Sequence, residues 1–124
     1  MKKKLLFVCF TDDDCRLTHA FWYAHELSQR GHEVRILLEG MGTRCLTWLA
    51  DPKYAGFAKA FQTAQTAGLL AGVCRAAASG CAGEGCSRPP VEIARELGLK
   101  ECDDLSGHAG IGDWVDRGFE ITVF

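Results

Sequence analysis

Leu69-Leu70-Ala71-Gly72-Val73-Cys74-Arg75-Ala76-Ala77-Ala78 is the stretch that decides the fold. A short apolar run ends at Cys74, and a row of alanines with strong helix preference begins just after Arg75. A buried strand therefore passes into a helix at the cysteine. That position sets the Cys74 sulfur near a helix N-terminus, where unpaired N–H groups and the helix dipole favour a thiolate. The expectation is a reactive thiol at Cys74. Arg75 beside it either adds positive potential or is a solvated residue of the first turn.

Working outward, the same strand-then-helix alternation covers the chain. Leu5 to Phe10 is fully apolar, the pattern of a parallel strand covered on both faces. Thr11-Asp12-Asp13-Asp14 supplies turn and capping residues. Leu17, Phe21, Ala24 and Leu27 then recur at helical spacing until Gly31 ends the helix. Val34 to Leu38 reads as a second strand, Gly40 to Ala50 as a short helix closed by Asp51-Pro52, and Phe57, Phe61 and Ala64 as a helix running to Gly68. After Cys74 come a helix of two turns, a loop from Gly80 to Pro90 rich in Gly and Cys, and a helix from Val91 to Leu97 begun by Pro89-Pro90. A short strand near Cys102 to Ser106, a loop, a helical turn at Asp113 to Arg117 and a strand from Phe119 to Phe124 complete the chain. Alternation of this kind implies right-handed crossovers and a three-layer α/β fold, a parallel sheet with helices on both faces. Residues 1–124 form one domain, and its ligand crevice lies beyond the carboxyl ends of the strands. That edge collects Thr11 to Cys15, Glu39 to Thr43, Cys74 and Ser106 to Gly110.

Composition narrows the function. With 48% hydrophobic and 24% charged residues the chain has an ordinary globular balance. A formal net charge of -2 leaves no basic excess to neutralise phosphates, which argues against a general nucleic-acid partner. No apolar run approaches the ~18 residues of a membrane span. The lysines and short apolar run at residues 2–10 imitate a secretion signal, but six apolar residues followed by three aspartates read as a buried strand. Seven cysteines without such a signal read as thiols of a reducing cytoplasm, several of them buried and a subset reactive or metal-binding.

Cys81 and Cys86 follow Cys74 by seven and twelve positions, in the glycine-rich loop. Their spacing matches no zinc pattern, and a fourth ligand would have to come from Cys102 or His108. A resolving thiol that closes a reversible disulfide on a modified Cys74 fits better, with Cys86 the more exposed partner. His108, after a strand end, is placed to reach the crevice as an acid or base. His19, His25 and His32 read as surface or packing residues. Asp12 to Asp14 read as helix-capping residues, with magnesium binding unsupported by a second carboxylate motif.

Leu6 to Arg16 is similar to the opening of low-molecular-weight tyrosine phosphatases and the related arsenate reductases, which would make Cys9 the nucleophile. Those enzymes need five residues between the cysteine and an arginine, and here six separate Cys9 from Arg16. Three aspartates also stand where a dianion should be cradled. The match is a decoy, and Cys9 and Cys45 are expected to be core thiols.

A broader match is carried by GVCRAAASGC (72–81), ARELGL (94–99), DDLSGHAGIGDWVDRG (103–118) and FEITVF (119–124). These segments resemble the DsrE/DsrF-like family, which includes TusD-type sulfur relay and intracellular sulfur oxidation proteins. The likeness extends loosely over the whole chain and is strongest from Gln65 onward. It implies a mostly parallel five-stranded sheet, homo- or hetero-oligomers (trimers or hexamers), and cytoplasmic sulfur transfer through a persulfide on Cys74. Donor and acceptor proteins would be the partners, and thiol exchange needs no organic cofactor. The loop from Cys81 to Pro90 is richer in cysteine and proline than the family pattern. An oligomeric module without catalysis, its cysteines sensing oxidants or holding metal, is the alternative. Two features fit assembly: only Arg75 and Glu84 carry charge between Ala60 and Cys86, and Phe21-Trp22-Tyr23 cannot all face the core.

Overall fold

A computed structural model describes residues 1–81, without the Cys81 side chain, and residues 88–124. Strand β1 (Lys4–Cys9) starts one residue before its apolar run and stops before Phe10, whose side chain is exposed. Helix α1 (Asp14–Gln29) begins where the aspartates predict: the Asp13 carboxylate accepts the Arg16 N–H at 2.8 Å, a cap worth about 1 kcal/mol. Leu17, Ala20, Phe21 and Ala24 form its buried stripe, and Gly31, at φ 93°, turns the chain out of it. Strand β2 (Glu33–Leu38) leads into the expected short helix, which is a 3₁₀ helix over Gly40–Trp48. Helix α2 (Ala55–Thr66), strand β3 (Leu70–Cys74), helix α3 (Pro90–Glu96), strand β4 (Glu101–Cys102), helix α4 (Gly112–Asp116) and strand β5 (Glu120–Val123) follow.

The five strands are parallel throughout, in the order β4-β3-β2-β1-β5. Four strands thus advance in one direction before the chain returns to the opposite edge. Right-handed connections then put α1, α2 and α3 on one face and α4 on the other. The two apolar clusters agree. Phe21 of α1, Phe57 and Phe61 of α2 and Ala94 of α3 pack on Phe7, Cys9, Ile36, Leu38 and Val73. The opposite face carries Leu6, Val8, Leu37 and Cys74 beneath Ala77, Ala109, Phe119 and Trp114. Helices cover both faces, but very unequally.

The main core is aromatic at its centre. Phe21 meets Phe57 edge-on with centroids 5.2 Å apart and stacks on Phe61 at 5.8 Å. Trp22 and Tyr23, next to Phe21, are 37% and 49% exposed, as a helix must arrange three consecutive rings. From Ala60 to Gly80 the low charge has its reason inside the domain. Ala60, Phe61, Ala64, Leu69, Val73, Cys74, Ala77 and Ala78 are all buried within this one chain.

One irregularity in β3 sets the direction in which Cys74 points. Ile36 pairs with Leu70 while Leu37 pairs with Gly72, so Ala71 is an extra residue between matched positions. Strict alternation would put Leu70, Gly72 and Cys74 on one face. The bulge instead sends Leu70 and Val73 to the main core and Ala71 and Cys74 to the other face. Gly72 takes φ 146°, and a Cβ there would lie 2.5 Å from the Lys100 carbonyl oxygen. Glycine is required at that point, and without it Cys74 would be phased toward the helices.

Candidate functional site

Cys74 stands at the carboxyl end of β3, and two residues distant in sequence meet it there. Glu39 directly follows β2, the neighbouring strand. Its N–H donates to the Cys9 carbonyl at 3.0 Å, which carries the β1–β2 ladder one step further. Its carboxylate accepts the Gly40 N–H at 2.9 Å and is almost wholly buried, with the residue 8% exposed. His108 arrives from the other side. Leu105 and His108 exchange backbone hydrogen bonds of 2.8 and 2.9 Å around Ser106 (φ 50°) and Gly107 (φ 90°). Positive φ at both central residues makes the tight hairpin turn that presents the imidazole. This turn also ends the strand expected from Cys102 to Ser106, which is reduced to the two residues of β4. The Ala76 N–H donates to the Gly107 carbonyl at 3.0 Å and ties the turn to the segment after Cys74.

The Cys74 sulfur lies 3.5 Å from His108 Nδ1. Glu39, Cys74 and His108 each offer a donor atom, and all three atoms lie within 4.8 Å of one another. Glu39 and Cys74 are buried and His108 is exposed, so the cluster runs from the interior to the surface. The crevice at the strand ends is where the alternation of elements places it. Glu39 falls among the residues assigned to that edge, but nothing local marks it as chemical. Its role comes from the neighbouring strand and from burial.

Electrostatics reverse one expectation. The Cys74 pKa is raised, first by burial and next by its hydrogen bond with Glu39; the Ala77 and Ala109 N–H groups pull it down without compensating. The expected helix of two turns is present over residues 75–81 as one α-helical step that widens into a π segment, Ala77–Cys81. Desolvation of the fully buried sulfur outweighs the N–H groups at the start of this segment. The resting group is a thiol with acceptors beside it. Arg75 is exposed and its guanidinium is 3.0 Å from Asp103 and 3.8 Å from Glu101, so it serves as a solvated surface residue. Cys86 lies outside the described residues, and so does the side chain of Cys81.

The other described thiols are placed differently. Cys9 and Cys45 are fully buried, as expected of core thiols. Burial pushes Cys9 up to about 12 and Cys45 well above its ordinary range. Cys9 therefore has neither the exposure nor the thiolate that a phosphatase nucleophile needs, and Asp12 beside it pairs with Arg44 at 3.5 Å. Exposed Cys15 sits 3.7 Å from His19 Nδ1, which is also 2.7 Å from the Cys15 carbonyl oxygen. Cys102 pairs with Cys74 in register across β3 and β4, half-buried and with its pKa raised chiefly by burial.

The contact between Cys74 and Glu39 has a measurable sign. Glu39→Gln removes the negative charge and the carboxylate acceptor, so the Cys74 pKa falls. The pH at which iodoacetamide alkylates Cys74 at half its maximal rate should move down, read by peptide mass spectrometry to separate it from Cys15. An unchanged or higher midpoint contradicts the contact.

No family model matches this chain, and no solved structure matches it. An uncharacterized protein of Archaeoglobus fulgidus is 44% identical to it over 43 residues, 35% of this chain and 70% of the archaeal one. The chain belongs to the family of that archaeal protein. The identity gives the family and leaves the chemistry to the site.

Proposed function

We propose that this protein is a cytoplasmic sulfur carrier whose Cys74 accepts sulfane sulfur as a persulfide and relays it to a partner's thiol. The observation that carries the reading is the Cys74 sulfur held between two proton acceptors, Glu39 and His108 Nδ1, the latter at 3.5 Å. The likeness of residues 72–81 and 103–124 to DsrE/DsrF-like proteins supports the same assignment.

The chemistry is thiol exchange and balances without an external oxidant or reductant. Cys74 passes its proton to Glu39 or His108. The resulting thiolate attacks the outer sulfur of a donor persulfide. The donor's S–S bond breaks as the new one forms, and the donor thiolate leaves with the proton held at the site. A partner thiolate then attacks the outer sulfur on Cys74, which departs as thiolate. Cys74 is fully covered in the resting arrangement, so each transfer requires its cover to open. Homo-oligomerisation belongs to the same proposal. Exposed Leu105, Ile111 and Val115 beside the thinly covered face support it.

The test is direct. Metal-free, reduced protein incubated with a low-molecular-weight persulfide should gain the mass of one sulfur atom, reversed by dithiothreitol and abolished by Cys74→Ser. An unchanged mass, or a gain that survives Cys74→Ser, overturns the assignment. Among the described residues no helix is long and apolar enough to cross a membrane.

A further inference from the structure

We infer that Glu39, Cys74 and His108 form a mononuclear site for a borderline divalent cation, Zn²⁺ by preference. A tetrahedral zinc ion with Zn–S about 2.3 Å and Zn–N about 2.0 Å holds the two donor atoms about 3.5 Å apart. Cys74 Sγ and His108 Nδ1 are 3.5 Å apart already. A carboxylate donor completes the set within 4.8 Å of both, so an ion among them needs only small side-chain rotations.

The donor chemistry selects the ion. Thiolate, imidazole and carboxylate together suit zinc, and the thiolate disfavours magnesium and calcium, which take oxygen ligands. These three are the ligands among the described residues, and tetrahedral zinc takes one ligand more. Outer contacts that orient first ligands are also present. The Gly40 N–H fixes the Glu39 carboxylate at 2.9 Å, and the Ala77 and Ala109 N–H groups point at the Cys74 sulfur. Exposed His108 gives the ion an entry path. Loading displaces the Cys74 proton and forms a Zn–S bond in its place.

The site stands independently of sulfur transfer, because it rests on the three donor atoms alone. One consequence does rest on the sulfur-carrier reading: a sulfur bound to zinc is withheld from the donor persulfide, so metal and sulfane sulfur exclude each other at Cys74.

Cobalt(II) titration of the purified full chain tests the inference, with zinc added afterwards to displace it. The expected result is one ion per chain, a thiolate-to-cobalt charge-transfer band and the intense visible bands of four-coordinate cobalt. Cys74→Ser should remove the charge-transfer band. His108→Ala, at an exposed residue where folding is not at risk, and Glu39→Gln should each weaken binding at least tenfold. A spectrum without the band overturns the site, as does a band that persists in Cys74→Ser or an affinity unchanged in His108→Ala. Persulfidation is scored separately on chelator-treated protein, so failure of one proposal leaves the other standing.

Discussion

Gly42→Ala is expected to destabilise the protein by at least the upper end of the roughly 1–3 kcal/mol typical of overpacking, and to disturb the site with it. A Cβ at Gly42 would lie 2.1 Å from the Cys9 carbonyl oxygen, 2.9 Å from its carbon and 3.3 Å from the Thr11 carbonyl oxygen. These are backbone atoms that cannot rotate away. The same Cys9 oxygen accepts the Glu39 N–H, so a methyl forced between the segments lifts Glu39 from its anchor. Urea denaturation should show the loss, and the alkylation midpoint of Cys74 should move toward that of Glu39→Gln. Gly56→Ala is the control of opposite sign. Nothing lies within 4 Å of a Cβ there, and its place in α2 predicts a gain of up to about 1 kcal/mol from helix propensity. A Gly42→Ala protein as stable as the parent would show that β1 and the 3₁₀ segment are not packed this closely.

Alkaline pH should destabilise the fold steeply. Cys9 is raised to about 12 from an ordinary value of 9.0, with burial as the cause. Below pH 9 both folded and unfolded chains keep this proton. Between pH 9 and 12 the unfolded chain releases it while the folded chain retains it, so stability falls as pH rises through the window. The slope from this one thiol approaches 1.4 kcal/mol per pH unit, or about 4 kcal/mol across the window. Cys45, fully buried and raised well above its ordinary value, adds in the same direction. Against a domain stability of roughly 5–15 kcal/mol the effect is large. Urea midpoints measured from pH 8 to 11 should decline in the parent protein and decline less in Cys9→Ala/Cys45→Ala. That variant should cost about 1 kcal/mol per lost sulfur near neutral pH. Parallel declines in the two proteins would place the alkaline sensitivity elsewhere.

Much of the architecture was legible because it depends on local periodicity. The apolar run at residues 5–10, the helical spacing of Leu17, Phe21 and Ala24, and the passage at Cys74 all place elements correctly to within a residue or two. Boundaries moved where backbone geometry overrides apolar pattern, as at β4, which the Ser106-Gly107 turn cuts short. The candidate site was half legible. Cys74 and His108 carry recognisable chemistry at the right edge, whereas Glu39 looks in sequence like any residue leaving a strand.

What the amino-acid sequence by itself determined is the order of strands and helices, hence a parallel α/β sheet with its crevice at the carboxyl ends, and the place of Cys74 at one of those ends. Three things were left to the tertiary structure. Glu39 and His108 converge on the sulfur because neighbouring strands and a tight turn bring them there across 35 and 34 positions of chain. The bulge at Ala71 phases Cys74 to the thinly covered face, since register is a property of paired strands and not of one strand. The sulfur rests as a thiol, because burial and a neighbouring carboxylate outweigh the Ala77 and Ala109 N–H groups.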